Sequence, residues 1–373
     1  MKKIVSILLS LLALSAAAVP ASAAASAPPD IDARSCILIH AGDGTVLYQH
    51  NADTRMRIAS TTKIMTAIVV LENCTLTDPV AIKAEYCGVE GSSMYLRAGE
   101  SYTVEELLYG MMLVSGNDAA VALACHTAGS VAAFAKLMND KAAALGMTDS
   151  AFKNPNGLDE DGHYSTARDM AKLADYCMQN ADFRALVSCK SRTMGGRDYV
   201  NHNKLLWQLK GCLGVKTGYT LSSGRSLVSC CQRGGTRYLC VTLGDPDDWA
   251  DHAALYEWAF QNWSDRAVID GRFALSLPVV SGKETAVGIA PECSVCRFLS
   301  AEDTVTYRIE LPRFVFAPVQ AGEDAGRITA LVNGVPAASA RLLYTGSVAV
   351  SPGAAVGAWA RFSALGGSNY QYA

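Results

Sequence analysis

The chain has 373 residues, half of them hydrophobic, and a formal net charge of −3. That length can bury one large core and a second, smaller one. A near-neutral charge without any basic run excludes a protein that holds nucleic acid by gross electrostatics, so function must reside in specific sites.

The first residues, "MKKIVSILLSLLALSAAAVPASAAASAPPD", give two lysines, an apolar stretch and then Ala21-Ser22-Ala23. These are the three regions of a secretory signal peptide. Cleavage is expected after Ala23, with residues 24–34 as a linker, so that the mature protein works outside the cytoplasm. Twelve cysteines would suggest disulfides in that compartment. Here Cys36, Cys125, Cys230 and Cys240 lie in apolar segments, as small hydrophobes do. The adjacent Cys230 and Cys231 should point to opposite faces of a strand. Cys293 and Cys296 form a lone CxxC without a second pair at zinc spacing, which allows a local disulfide and gives no metal site. No cofactor is expected.

"SCILIHAGDGTVLYQH" (35–50) reads as two strands around Gly42-Asp43-Gly44. Ser60 starts the first helix, "KIMTAIVVLE" follows, and Thr103 with Glu106 makes a capping box before "VEELLYGMMLV". "AAVALACHTA" and "VAAFAKLMNDKAAALGM" have helical composition, the second capped by Ser130; "STARDMAKLADYCMQN" repeats the pattern, with Thr166 and Asp169 as its cap. Strand patterns return in "LGVKTGYT", "RSLVSCCQ" and "TRYLCVTLG", and "WADHAALYEWAFQNW" is apolar at helical spacing. Helices between an early hairpin and a later antiparallel run predict an α+β sandwich over residues 35–266. From about Val268 short strands separated by Gly, Pro and Asp predict a small all-β domain, residues 267–350, followed by a tail, 351–373.

Three short motifs occur in order: Ser60-Thr61-Thr62-Lys63, Ser115-Gly116-Asn117 and Lys216-Thr217-Gly218. Together they suit acyl transfer. A serine hydroxyl needs a base within hydrogen-bond reach, and Lys63 lies one turn on, on the same helix face. Burial among Ile64, Met65, Ile68 and Val69, with Lys216 as a second cation, should lower its pKa and make it a base. The backbone N–H groups of Ser60 and Tyr219 can receive a developing oxyanion. Gly218 lets a substrate backbone approach the strand, Thr217 and Lys216 can hold a carboxylate, Ser115 can relay a proton, and Asn117 can bond substrate or Lys63.

At these residues the chain resembles the low-molecular-mass penicillin-binding proteins, the serine-type D-alanyl-D-alanine carboxypeptidases of the peptidase S11 family. The resemblance extends through "GTVLYQHNADTRMRIASTTKIMTA", "MMLVSGNDAAVALA", "FKNPNGLDEDGHYSTARDMAKLA" and "NHNKLLW". It implies a β-lactamase/transpeptidase-like fold, Ser60 as acylated nucleophile, Lys63 as general base, Ser115 and Asn117 completing the second motif, and Lys216 binding substrate. It further implies a peptidoglycan stem peptide as substrate, losing its terminal D-Ala, and β-lactams as covalent inhibitors.

Two features depart from the family pattern. Asp248 stands where relatives carry an arginine that helps with the substrate's terminal carboxylate. Either Arg225 or Arg237 substitutes, or Lys216 and Thr217 act alone; Asp248 itself would repel that carboxylate or cap the helix beginning near Trp249. The tail also lacks the amphipathic anchor of many relatives, which leaves membrane attachment open. Two other readings compete. A class A β-lactamase would need a glutamate in an ExxLN context between the second and third motifs, and "NPNGLDEDGHYSTARD" has none. A muropeptide- or β-lactam-binding protein without turnover would share all three motifs.

Overall fold

The structure, a computed structural model, describes residues 27–352 and 368–372; the signal peptide expected at residues 1–23 lies outside them. β1 (Ser35–His40) and β2 (Val46–His50) form the early hairpin. A 3-10 turn (Ala59–Thr62) leads into α1 (Lys63–Asn73), so Ser60 sits in the turn and not in the helix proper. β3 (Pro79–Ala81) and β4 (Ser101–Thr103) make a short ribbon. Then come α2 (Val104–Leu113), α3 (Asn117–Ala128), α4 (Val131–Ala144), α5 (Ala167–Cys177) and α6 (Ala181–Ser188). β5 (Ser191–Met194) and β6 (Arg197–Val200) form a second ribbon, followed by the single turn α7 (Leu205–Gln208). β7 (Cys212–Thr220), β8 (Gly224–Arg233), β9 (Thr236–Leu243) and α8 (Asp248–Asn262) complete the first domain.

The helix starts follow from their caps. Thr103 Oγ1 accepts from the Glu106 N–H while Glu106 accepts from the Thr103 N–H, and Ser130 and Thr166 accept from Ala133 and Asp169. Residues 63–70 of α1 are all buried, which makes it the central helix of the packed layer.

The main sheet is antiparallel, in the order β2-β1-β9-β8-β7. Strand alternation divides its side chains between two cores. Ile37, Ile39, Val241 and Cys230 join α1–α5 on one face, and Cys36, Leu38, Tyr238 and Cys231 pack with Leu255, Tyr256 and Ala259 of α8 on the other. Cys230 and Cys231 therefore do face opposite ways. All twelve cysteines are free thiols, Cys293 and Cys296 included.

The second unit comprises β10 (Trp263–Ile269), β11 (Leu275–Val280), β12 (Ala286–Pro291), β13 (Val295–Ser300), β14 (Val305–Leu311), β15 (Val315–Phe316), β16 (Asp324–Val332), β17 (Val335–Tyr344) and β18 (Ser368–Tyr372). β10 pairs with β13; the others form a sheet in the order β15-β11-β12-β17-β16-β14-β18 around a separate apolar core.

Two expected boundaries shift. The division placed between residues 266 and 267 falls inside β10, because α8 ends at Asn262 and Trp263 already opens a strand. The tail also contributes a strand, β18, antiparallel to β14. The linker is tied down at its end, where Asp251 accepts from the Asp32 N–H and Gly244 O from the Arg34 N–H. No single helix among the described residues is long and apolar enough to cross a membrane.

Candidate active site

β7 is an edge strand, and it packs against the 3-10 turn. A Cβ on Gly218 would stand about 3.1 Å from both Ile58 O and Thr61 N, so glycine permits this approach. The first and third motifs are thereby brought together. The second arrives on the α2–α3 connection, where Ser115 adopts φ +62°, a left-handed conformation that non-glycine residues hold at a local energetic cost. Asn117 N–H donates to Ser92 O, and Asp118, fully buried, accepts from the N–H groups of Met94 and Leu96 and from Ser93 Oγ.

Lys63 is the centre of the site. It is 0% exposed, and its Nζ lies 2.9 Å from Ser60 Oγ, 2.6 Å from Asn117 Oδ1 and 2.7 Å from Asn156 O. Burial, and then the nearby charge of Lys216, hold its pKa well below the ordinary lysine value, against the pull of Asp118. A neutral amine has two N–H donors and one lone pair. Asn117 Oδ1 and Asn156 O can only accept, so they take both donors. The lone pair is then left for the one partner that can donate, the Ser60 hydroxyl. In its neutral form Lys63 would thus turn its lone pair toward Ser60 Oγ.

Asn156 is held by local turns that precede it in effect: Asn154 Oδ1 accepts from Gly157 N–H, Asn156 Oδ1 accepts from Leu158 N–H, and Pro155 O accepts from Thr66 Oγ1 of α1. Nothing in the sequence reading singled out Asn156, since a carbonyl contact leaves no side-chain signal. The carboxylates of this segment face elsewhere. Asp159 accepts from Ser222 and Thr220, and Glu160 from Asn154.

Lys216 is 1% exposed and donates to Ser115 Oγ (3.2 Å) and Thr217 O (3.0 Å). Burial lowers its pKa to about 7. A cavity of about 540 Å³ opens above these groups, lined by Ser60, Ser92, Ser115, Asn201, His202, Lys204, Thr217, Gly218, Tyr219, Arg225, Asp248 and Trp249. Of the expected site residues, Ser60, Ser115, Thr217, Gly218 and Tyr219 face it. Lys63, Asn117 and Lys216 are not among its lining residues, and Lys216 donates to Ser115, which is. Asn201, His202 and Lys204 belong to "NHNKLLW", a stretch to which no role had been given.

Asp248 is neither free nor the cap. The N-cap of α8 is Asp247, and Asp248 is the first helical residue. Its carboxylate, 2% exposed, takes both Nε (3.1 Å) and Nη2 (2.5 Å) of Arg225 on Oδ1. Burial raises its pKa, with Arg225 opposing. Arg237 lines a different cavity, beside His40 and Asp265. No group of three His, Cys, Asp or Glu side chains among the described residues could hold a metal ion.

Helices on both faces of an antiparallel sheet, with a serine–lysine pair beside its edge strand, define the transpeptidase-like class of penicillin-binding enzymes. The sequence profile of Peptidase S11, D-alanyl-D-alanine carboxypeptidase, matches residues 22–247. The D-alanyl-D-alanine carboxypeptidase DacF of Bacillus subtilis (strain 168) is 30% identical over 326 residues, 80% of this chain and 81% of that one. DacC of Escherichia coli (strain K12) is 33% identical over 328 residues, 82% of each. Penicillin binding protein 5 from Haemophilus influenzae superposes with a TM-score of 0.66 at 29% identity, covering 87% of this chain and 99% of that one. The chain belongs to the Peptidase S11 family and is a D-alanyl-D-alanine carboxypeptidase, a hydrolase.

Proposed function

We propose that the enzyme removes the terminal D-Ala of peptidoglycan pentapeptides through an acyl-enzyme on Ser60, outside the cytoplasm. The observation that carries this reading is the Lys63 amine, buried without a carboxylate partner, 2.9 Å from Ser60 Oγ. Lys63 takes the hydroxyl proton as Oγ bonds to the carbonyl carbon of the penultimate D-Ala. The N–H groups of Ser60 and Tyr219 receive the oxyanion. Collapse breaks the C–N bond, and the leaving amine takes a proton passed from Lys63 or through Ser115, which Lys216 orients. Water then attacks the ester, giving its proton to Lys63, which returns it to Ser60 Oγ as the C–O bond breaks. The substrate lies extended along the free edge of β7, as strands add to sheet edges. β-Lactams acylate the same serine.

The test is a pentapeptide ending in D-Ala-D-Ala, with D-Ala release counted per enzyme. Many turnovers, abolished with fluorescent-penicillin labelling in Ser60→Ala, are expected. A burst of one equivalent without turnover would replace catalysis by mere binding, and labelling that survives in Ser60→Ala would put the nucleophile elsewhere.

A further inference from the structure

A carboxypeptidase must recognise the carboxylate of the residue it removes, and a cation is the strong way to do so. The lysine of the third motif has its Nζ committed to Ser115 Oγ and Thr217 O and is not among the residues lining the cavity. On the wall itself stands Arg225. Its Cα is paired with that of Tyr219 across β7 and β8, so its side chain emerges on the face shared by Tyr219 and Thr217. Asp248 engages only Nε and one N–H of Nη2, and the guanidinium lies over the Trp249 ring at 5.3 Å. Of its five N–H groups, three have no partner among the described residues. The side chain is 40% exposed against 2% for Asp248, and Arg225 lines the cavity.

Building on the carboxypeptidase reading, we infer that Arg225 binds the terminal carboxylate of the substrate and that Asp248 is its positioning residue. The guanidinium comes from strand β8, and the first residue of α8 supplies its counter-ion. Arg225 and Asp248 line the same wall of the cavity. Asp248 and Trp249 restrict the fork to one orientation, which reduces the ordering lost on binding.

The experiment compares a peptide ending in D-Ala-D-Ala acid with the same peptide ending in a carboxamide. Arg225→Gln should lose about 10- to 100-fold in kcat/KM on the acid, chiefly through KM, the range of a hydrogen bond to a charged group. On the carboxamide it should stay within about threefold of the parent. The double variant Arg225→Ser/Asp248→Arg, which moves the guanidinium to the helix, should recover most of the loss on the acid, a rescue no structural role explains. If Arg225→Gln leaves Asp248 unpaired and fails to fold, the neutral pair Arg225→Gln/Asp248→Asn replaces it. Equal losses on acid and amide, or an acid-selective loss in Lys204→Ala with none at Arg225, overturn the inference. If the parent enzyme releases no D-Ala at all, the carboxypeptidase reading fails first.

Discussion

Asn117 Oδ1 is 2.6 Å from Lys63 Nζ, and Asn117 Nδ2 donates in turn to Glu90 O. That second bond fixes which end of the amide faces the lysine: an oxygen that accepts but carries no charge. An aspartate would fit the same space and would hold the lysine protonated. The site therefore places a neutral acceptor, not a carboxylate, against Lys63 Nζ.

Asn117→Asp tests this directly. An opposite charge within hydrogen-bond distance favours the ammonium form, so the Lys63 pKa should rise. Penicillin acylation at pH 7 should fall by up to about tenfold for each unit by which the value rises above that pH. The acid limb of the pH profile should move to higher pH, with partial recovery in alkaline buffer. A variant that is slow by the same factor at every pH would assign Asn117 to substrate binding instead.

Lys63→Arg keeps the charge and loses the base, since a guanidinium is not deprotonated in proteins. Acylation by penicillin and D-Ala release should both disappear, with a circular dichroism spectrum like that of the parent. Near-normal acylation in this variant would exclude a neutral amine as the proton acceptor.

The parts legible in the sequence were those encoded locally. Thr103-Glu106, Ser130 and Thr166 cap helices through contacts three residues apart, and Ser60-Lys63 meet across one turn, so spacing alone carries them. Parts encoded across the fold were not. Asn156 enters the site by its carbonyl 93 residues from Lys63, and Arg225 meets Asp248 only because β8 runs past the start of α8. Trp263 looked like the last turn of a helix because it packs on Trp258, with ring centroids 4.8 Å apart, yet it begins β10. Periodicity records burial, and a buried strand residue satisfies it equally well.

Lys216 should leave a signature in stability. Its ordinary value is 10.5 and burial lowers it to about 7 in the fold. Between those values the unfolded chain holds a proton that the folded chain lacks, so stability rises with pH through that window. Below about 7 both states are protonated and the penalty of burying the charge is complete. In denaturant titrations at pH 7, 8 and 9, the stability of the parent relative to Lys216→Met should therefore increase by up to ~1.4 kcal/mol per pH unit. A difference that is flat with pH would mean that Lys216 stays charged in the fold.

The turn that carries Ser60 depends on Gly157. Its φ is +84°, and a Cβ there would overlap Ala59 O and come to 2.8 Å from Thr62 Oγ1. Gly157→Ala therefore combines left-handed strain with displacement of the carbonyl that immediately precedes the nucleophile. Gly162 separates the two effects. Its φ is +81°, but its nearest neighbour is the flexible Lys153 side chain, with Cε at 3.0 Å. Gly162→Ala should lose about 1–2 kcal/mol from strain alone and keep its kcat/KM. Gly157→Ala should lose more stability and, because a shift of about 1 Å at the reacting atom can lower the rate ~100-fold, should lose kcat/KM on that scale. Melting temperature and penicillin acylation rate, measured on both variants, give the comparison. If the two match in acylation rate, the Ala59 carbonyl does not set the position of Ser60, and the turn is held by other contacts, among them Thr61 to Ile58 O and Thr62 to His163.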